Sequence, residues 1–302
     1  MRLLSTLRVA LVGAVLGLAC LLPDAAAAQT SQLSQPKPAL WVLRDADSTV
    51  YLFGTIHFLR PDMDWRTAQV SAALAEAQSI VLEVADPTDQ AAVAPLIQQY
   101  GMSPERPLSS LLTPDEFQRL GHAAETLGAS AARMNPMRPW LAGVMLSGAI
   151  PARGGFEAAS GVDVSLRAEA AKASLTIRGL ETPADQIRML SGFPEDGQLA
   201  FLRNTLDSFD QAPTELGQLA EAWTRGDVDR IADITLEPMK ARSSTLYQTV
   251  IVDRNRRWAG EIAGMLEGSG TTFVAVGALH LAGADSVQRL LGQIGLEVVR
   301  IQ

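Results

Sequence analysis

Cysteine occurs once in 302 residues, as Cys20, and histidine only three times. One cysteine cannot close an internal disulfide, and beyond Cys20 the chain has neither a thiol nucleophile nor a thiolate metal ligand. A basic excess is also missing: 25 Lys and Arg stand against 33 Asp and Glu, a formal charge of −8. Phosphate neutralisation supplies most nucleic-acid affinity, so this composition argues against a nucleic-acid partner. The acidic residues are dispersed, as a solvated surface requires. After Leu22 no apolar run is long enough to span a bilayer. There is no G-x-S-x-G elbow, Walker sequence, HExxH or dinucleotide fingerprint, which removes the common serine-hydrolase, nucleotide and zincin chemistries.

The N-terminus has its own pattern. Arg2 and Arg8 precede an apolar run from Val9 to Leu22, and an alanine cluster follows before Gln29. That layout reads as a secretory signal over 1–28, cleaved after Ala28, and it places the protein in the periplasm or outside the cell. An uncleaved anchor or a lipid-modified Cys20 would suit the same segment less well, because the run is short and Gly17 stands three places before the cysteine. Residues 29–39, rich in Ser, Gln, Pro and Lys, read as a disordered leader.

From residue 40 the pattern is that of an α/β fold. "LWVLRDADSTVYLFGTIHFL" gives two strands and a hairpin, "DWRTAQVSAALAEAQ" a helix and "SIVLEVA" a strand, a βαβ unit that implies parallel pairing. "SGVDVSLRAEAAKA" and "SLTIRGLE" form a further helix and strand, and the close runs strand, loop, helix, strand. The stretches at about 87–160 and 182–250 are mainly helical; "LTPDEFQRL" opens on a Thr cap with Pro at the first helical position. The expected architecture is a mainly parallel sheet with helices on its faces and helical insertions.

Two histidines share one local pattern. "VYLFGTIHFL" and "FVAVGALHLAG" are each an apolar run, then Gly, two residues and His: Gly54 with His57, and Gly277 with His280. Ligands of open α/β sheets gather beyond the carboxyl ends of strands, and both histidines fall there. The glycines are expected to permit a sharp turn or a close backbone approach. Glu83, at the end of "SIVLE", would reach the same rim as a metal ligand or a general base. Asp163 is either a first-turn acid favoured by the helix dipole or a site residue. Glu181, past another strand, either joins the site or caps the next helix. Arg254 and Asn255 are candidates for holding a carboxylate or an oxyanion. His122 reads as surface.

The ordered set "GTIH", "LE", "GVD", "GLET…Q", "W…GD", "RN" and "GALH" resembles the TraB/PrgY/GumN family from about Leu40 to the C-terminus. The resemblance implies a fold related to the erythromycin esterases and the haem-binding ChaN proteins. It further implies a TIKI-like metal-dependent peptidase, with manganese, cobalt or zinc at His57, His280 and Glu83 and with Arg254 and Asn255 in the catalytic apparatus. Its esterase relatives suggest a metal-free hydrolase, and ChaN suggests a haem- or metal-binding envelope protein without turnover. The substrate would be a peptide or a small molecule. "GGFEAASGVD" departs from the pattern in its glycine and alanine content.

Overall fold

The computed structural model describes residues 35–87 and 89–302, so the expected signal at 1–28 and most of the leader lie outside the described residues. The strands are β1 (Leu40–Arg44), β2 (Ser48–Thr55), β3 (Ser79–Val84), β4 (Thr176–Glu181), β5 (Gly270–Gly277) and β6 (Val299–Arg300). They form one sheet in the order β4-β3-β5-β2-β1-β6. The last residues of the leader are tied down: Lys37 donates to the Thr224 carbonyl at 2.7 Å, and the Gln302 side chain donates to that of Pro38 at 2.6 Å.

The hairpin expected at 40–59 forms as β1 and β2, antiparallel, with Leu43 opposite Val50. Asp45 closes it by accepting from the Ser48 and Asp47 N–H groups at 2.7 and 3.1 Å, the usual reason for an aspartate in a turn. Helix Ala68–Glu76 then carries the chain to β3. β2 and β3 are not neighbours, however. β5, almost two hundred residues later in the chain, lies between them and is parallel to both, with Phe53 and Leu82 each opposite Ala275. A strand flanked on both sides and covered on both faces should be continuously apolar. "FVAVG" is, and all five residues are buried.

The chain divides into two compact units. One holds the sheet, with residues 157–180 and 215–302. Its core joins Leu43, Val50, Leu52, Val81, Val274 and Val276 to Trp258, Ile262 and Leu266 of helix Asp253–Leu266. Full burial of each large apolar side chain is worth roughly 1.5–3 kcal/mol. The other unit, residues 86–156 and 181–214, is helical, with one core around Leu120, Leu146, Leu202 and Leu206 and a second around Trp140, Val144, Ile187 and Leu190. Its helix Pro114–Glu125 begins with the expected cap: Thr113 and Glu116 form a reciprocal capping box. Among the described residues no helix is long and apolar enough to cross a membrane.

The two Gly-x-x-His segments touch at the end of the sheet. A Cβ on Gly54 would lie 3.1 Å from Ala278 Cα and 3.3 Å from its Cβ, so any larger residue there would press on the second segment. The Gly54 carbonyl accepts a hydrogen bond from buried Trp223 Nε1 at 2.8 Å. Gly54→Val should force the segments apart and cost about 1–3 kcal/mol, the usual range for overpacking. Urea unfolding checks this, and an unchanged midpoint would show that Ala278 gives way freely.

Candidate active site

The carboxyl ends of β3, β5 and β2 supply Glu83, His280 and His57, in that spatial order. Glu83 is 8% exposed. Its Oε1 accepts from the Gly277 N–H at 2.7 Å and its Oε2 from Arg254 Nη2 at 2.8 Å. Gly277 has φ −51° and ψ 136°, a conformation open to any residue. Of the two roles expected of this glycine, a sharp turn is not what this backbone requires; its N–H is aimed at Glu83.

His280 sits on the 3₁₀ turn Ala278–Leu281, fully buried. Asn255 Nδ2 donates to the Asp285 carbonyl at 2.7 Å, which orients the amide so that its Oδ1 faces His280 Nδ1. An amide oxygen only accepts, so the proton belongs on Nδ1. Nε2 is left as the acceptor, and it receives Arg254 Nη1 at 3.0 Å. Arg254 and Asn255 are adjacent in sequence, and both are buried. They open helix Asp253–Leu266 just after a π-helical stretch, Gln248–Val252. Such wide turns recur at functional sites, where they shift the helix face that follows. Trp258, one turn on, lies with its ring centroid 4.4 Å from the Arg254 guanidinium carbon and 4.4 Å from the His280 ring centroid.

His57 is placed differently. Its Nδ1 lies 3.0 Å from Asp163 Oδ1, with about a fifth of each side chain exposed. Asp163 is in the first turn of helix Val162–Lys172, whose first N–H donates to the Ile56 carbonyl at 2.9 Å. Arg167, one turn later, donates to the Ala85 carbonyl at 2.8 Å, so the helix is fastened beyond both β2 and β3. Gly161 allows the approach, since a Cβ there would lie 2.3 Å from the His57 carbonyl oxygen. This accounts for one glycine of "GGFEAASGVD".

Burial alone would lower the His57 pKa, but the charge and hydrogen bond of Asp163, helped by Glu83, raise it to about 9. Burial would raise Glu83, yet Arg254, the two histidines and the Gly277 N–H bring it down to about 2. His280 falls to about 3, through burial and then the Arg254 charge.

The structure thus brings His280, Glu83, Arg254 and Asn255 into one hydrogen-bonded set. His57 with Asp163 lies close enough to feel the charges of Glu83 and Arg254. Glu181 ends β4 and takes a long 3.4 Å hydrogen bond from Gln186. His122 is exposed. Sequence reasoning missed Trp258, Gly161 and Asp285. Trp258 had a signal, its i+4 spacing from Arg254 on an amphipathic helix. Asp285 acts through its backbone and had none.

The expected metal ligands were His57, His280 and Glu83. A ligand must offer a free lone pair, but His280 Nε2 and Glu83 Oε2 accept from Arg254 and Glu83 Oε1 accepts from Gly277, while His57, held at Nδ1 by Asp163, keeps only its Nε2 for a ligand. Among the described residues no three His, Cys, Asp or Glu side chains are grouped to hold an ion. As arranged, the set does not fit a divalent metal.

These groups set a stability optimum. Glu83 (about 2 in the fold) and His280 (about 3) both bind fewer protons folded than unfolded, so stability should fall as pH drops below about 6.5, His280 acting first and Glu83 below about 4.5. His57 has the opposite sign. Its contribution is complete below about 6.5 and is lost as pH rises through about 9. Urea midpoints against pH should peak near 6.5, and Asp163→Asn should flatten the alkaline side. A monotonic profile would contradict these ionisation states.

A protein-family model, described as the TraB/PrgY/gumN family, matches residues 39–300. A YbaP protein of Escherichia coli (strain K12), described as uncharacterized, is 26% identical over 254 residues, 84% of this chain and 92% of its own. An uncharacterized protein of Treponema pallidum (strain Nichols) is 22% identical over 284 residues, 89% of this chain and 85% of its own. No solved structure gives a significant match. With nearly the whole described chain inside one family match, and both Gly-x-x-His histidines at neighbouring strand ends, the chain belongs to the TraB/PrgY/gumN family.

Proposed function

We propose that this is an exported hydrolase of peptide or ester bonds in which His57 is the acid–base group and Asp163 its positioning partner. One observation carries the reading: the His57–Asp163 pair, 3.0 Å apart and partly open, stands at the carboxyl rim of the sheet, whereas His280 is buried. Asp163 engages Nδ1, so Nε2 is the nitrogen available to a substrate. There it would take a proton from water attacking a carbonyl carbon and return it to the leaving group, with Asp163 stabilising the imidazolium between the two steps. The Glu83–Arg254 pair holds a fixed field beside this centre, and His280, itself oriented by Asn255, holds Arg254. The secretory pattern at 1–28 supports export.

Activated esters and a peptide library should reveal turnover whose kcat/KM rises with pH through a midpoint near 9, because His57 must lose its proton to act as a base. His57→Ala should lose ~10²–10⁴-fold, the usual contribution of a general base. Asp163→Asn should lower the rate and move the alkaline midpoint towards the ordinary ~6.5 of histidine. Full activity in His57→Ala would end this reading. Loss of activity in chelator, restored by manganese, cobalt or zinc, would replace it with the metal-dependent one. Export has its own test: N-terminal sequencing of envelope-fraction protein should begin near Gln29, and an intact Met1 would contradict it.

A further inference from the structure

The buried set around Arg254 has the layout of a metal site with a different cation in it. His280 Nε2 and Glu83 Oε1 are 3.8 Å apart. Two ligands on ~2 Å bonds to one tetrahedral ion stand ~3.3 Å apart, so the pair needs little movement to share an ion. The histidine is prepared as a ligating imidazole is: Nδ1–H is held by the Asn255 oxygen, leaving the Nε2 lone pair directed inward. That lone pair and the carboxylate are both directed at a guanidinium. Nη1 reaches His280 at 3.0 Å, Nη2 reaches Glu83 at 2.8 Å, and Nη1 also faces the Val250 carbonyl at 3.4 Å. The Trp258 face covers the cation.

We propose that Arg254 is the resident cation of this site: its guanidinium fills the place between His280 and Glu83 that a divalent ion would take, and it keeps such ions out. A guanidinium is charged at every working pH and cannot dissociate as an ion can. The site is therefore permanently loaded and indifferent to metal supply. Removing the side chain leaves a carboxylate and an imidazole lone pair facing one another, the hard-oxygen and nitrogen donors that cobalt(II) and zinc(II) accept. The proposal concerns binding and holds whether or not the site hydrolyses anything.

The test is cobalt(II) titration of the full chain, followed by visible absorption and calorimetry. Wild type and Arg254→Lys should show no stoichiometric uptake. Arg254→Met, which keeps most of the volume, should bind one ion at least ~10-fold more tightly and show a visible ligand-field band. Arg254→Met combined with Glu83→Gln should not bind. Stoichiometric uptake by wild type that is lost in His280→Ala would overturn the proposal, as would a folded Arg254→Met that takes up no ion. If Arg254→Met does not fold, wild type still decides. In ¹⁵N-labelled protein the His280 ring should be the Nδ1–H tautomer, with an Nε2 resonance that zinc does not move. A zinc-dependent shift of that resonance would refute the proposal.

Discussion

The structure turns on a buried ion pair. Arg254 and Glu83 meet at 2.8 Å with 2% and 9% of their side chains exposed. Removing two such charges from water costs several kcal/mol per ion unless every remaining lone pair and proton is satisfied. The fold arranges that satisfaction from separate parts of the chain. β3 brings the carboxylate, the turn after β5 brings the Gly277 N–H and His280, and helix Asp253–Leu266 brings the guanidinium with Trp258 beneath it. None of these elements can shift without leaving a charge unpaired, so the pair registers the helix against the sheet. Among the described residues the Trp258 Nε1 has no hydrogen-bond partner. The ring is held for its face and its bulk, at the place where the cation needs them.

The two Gly-x-x-His segments show how one local pattern reaches two outcomes. Both follow strands of the same parallel pair, and their glycines sit within one residue of each other in register. His280 turns inward because a helix lies over it with an amide oxygen and a guanidinium ready for its two nitrogens. His57 meets the start of a different helix, where one carboxylate takes one nitrogen and the side chain keeps some solvent contact. One imidazole consequently has both ring nitrogens engaged and no solvent contact, and the other faces a carboxylate with about a fifth of its side chain exposed. Burial lowers both pKa values; at the first the Arg254 charge adds to it, while at the second the charge and hydrogen bond of Asp163, with the charge of Glu83, together outweigh it.

What could be read along the chain was local. The hairpin, the crossover helix, the Thr113 cap and the apolar strands follow from side-chain periodicity and turn chemistry within a few residues. Glu83 and Glu181 show the limit. Each ends a short strand after apolar residues, and nothing nearby distinguishes them, yet one pairs with Arg254 and the other reaches Gln186. Asp163 was open to two readings because a first-turn acid satisfies the helix dipole in any context. Only the contact of that helix with Ile56 and His57 makes it a partner. Residues 37–39 read as leader by composition, yet Lys37 donates to the Thr224 carbonyl, Pro38 accepts from the Gln302 side chain and Ala39 is buried.

The sequence by itself determined the α/β class, the chemical types available at the site, and the likeness that places the chain in its family. Scarcity made this possible: with three histidines in the chain, two in one motif stand out. Only the tertiary structure decided that β5 enters between β2 and β3, and everything at the site follows from that insertion. It sets His280 beside Glu83 and admits the helix that carries Arg254, so the carboxylate meets a guanidinium and the expected metal triad does not assemble. Strand order is a choice among pairings of similar local energy, settled by burial and charge pairing between residues some two hundred positions apart. That information lies in no window of the sequence.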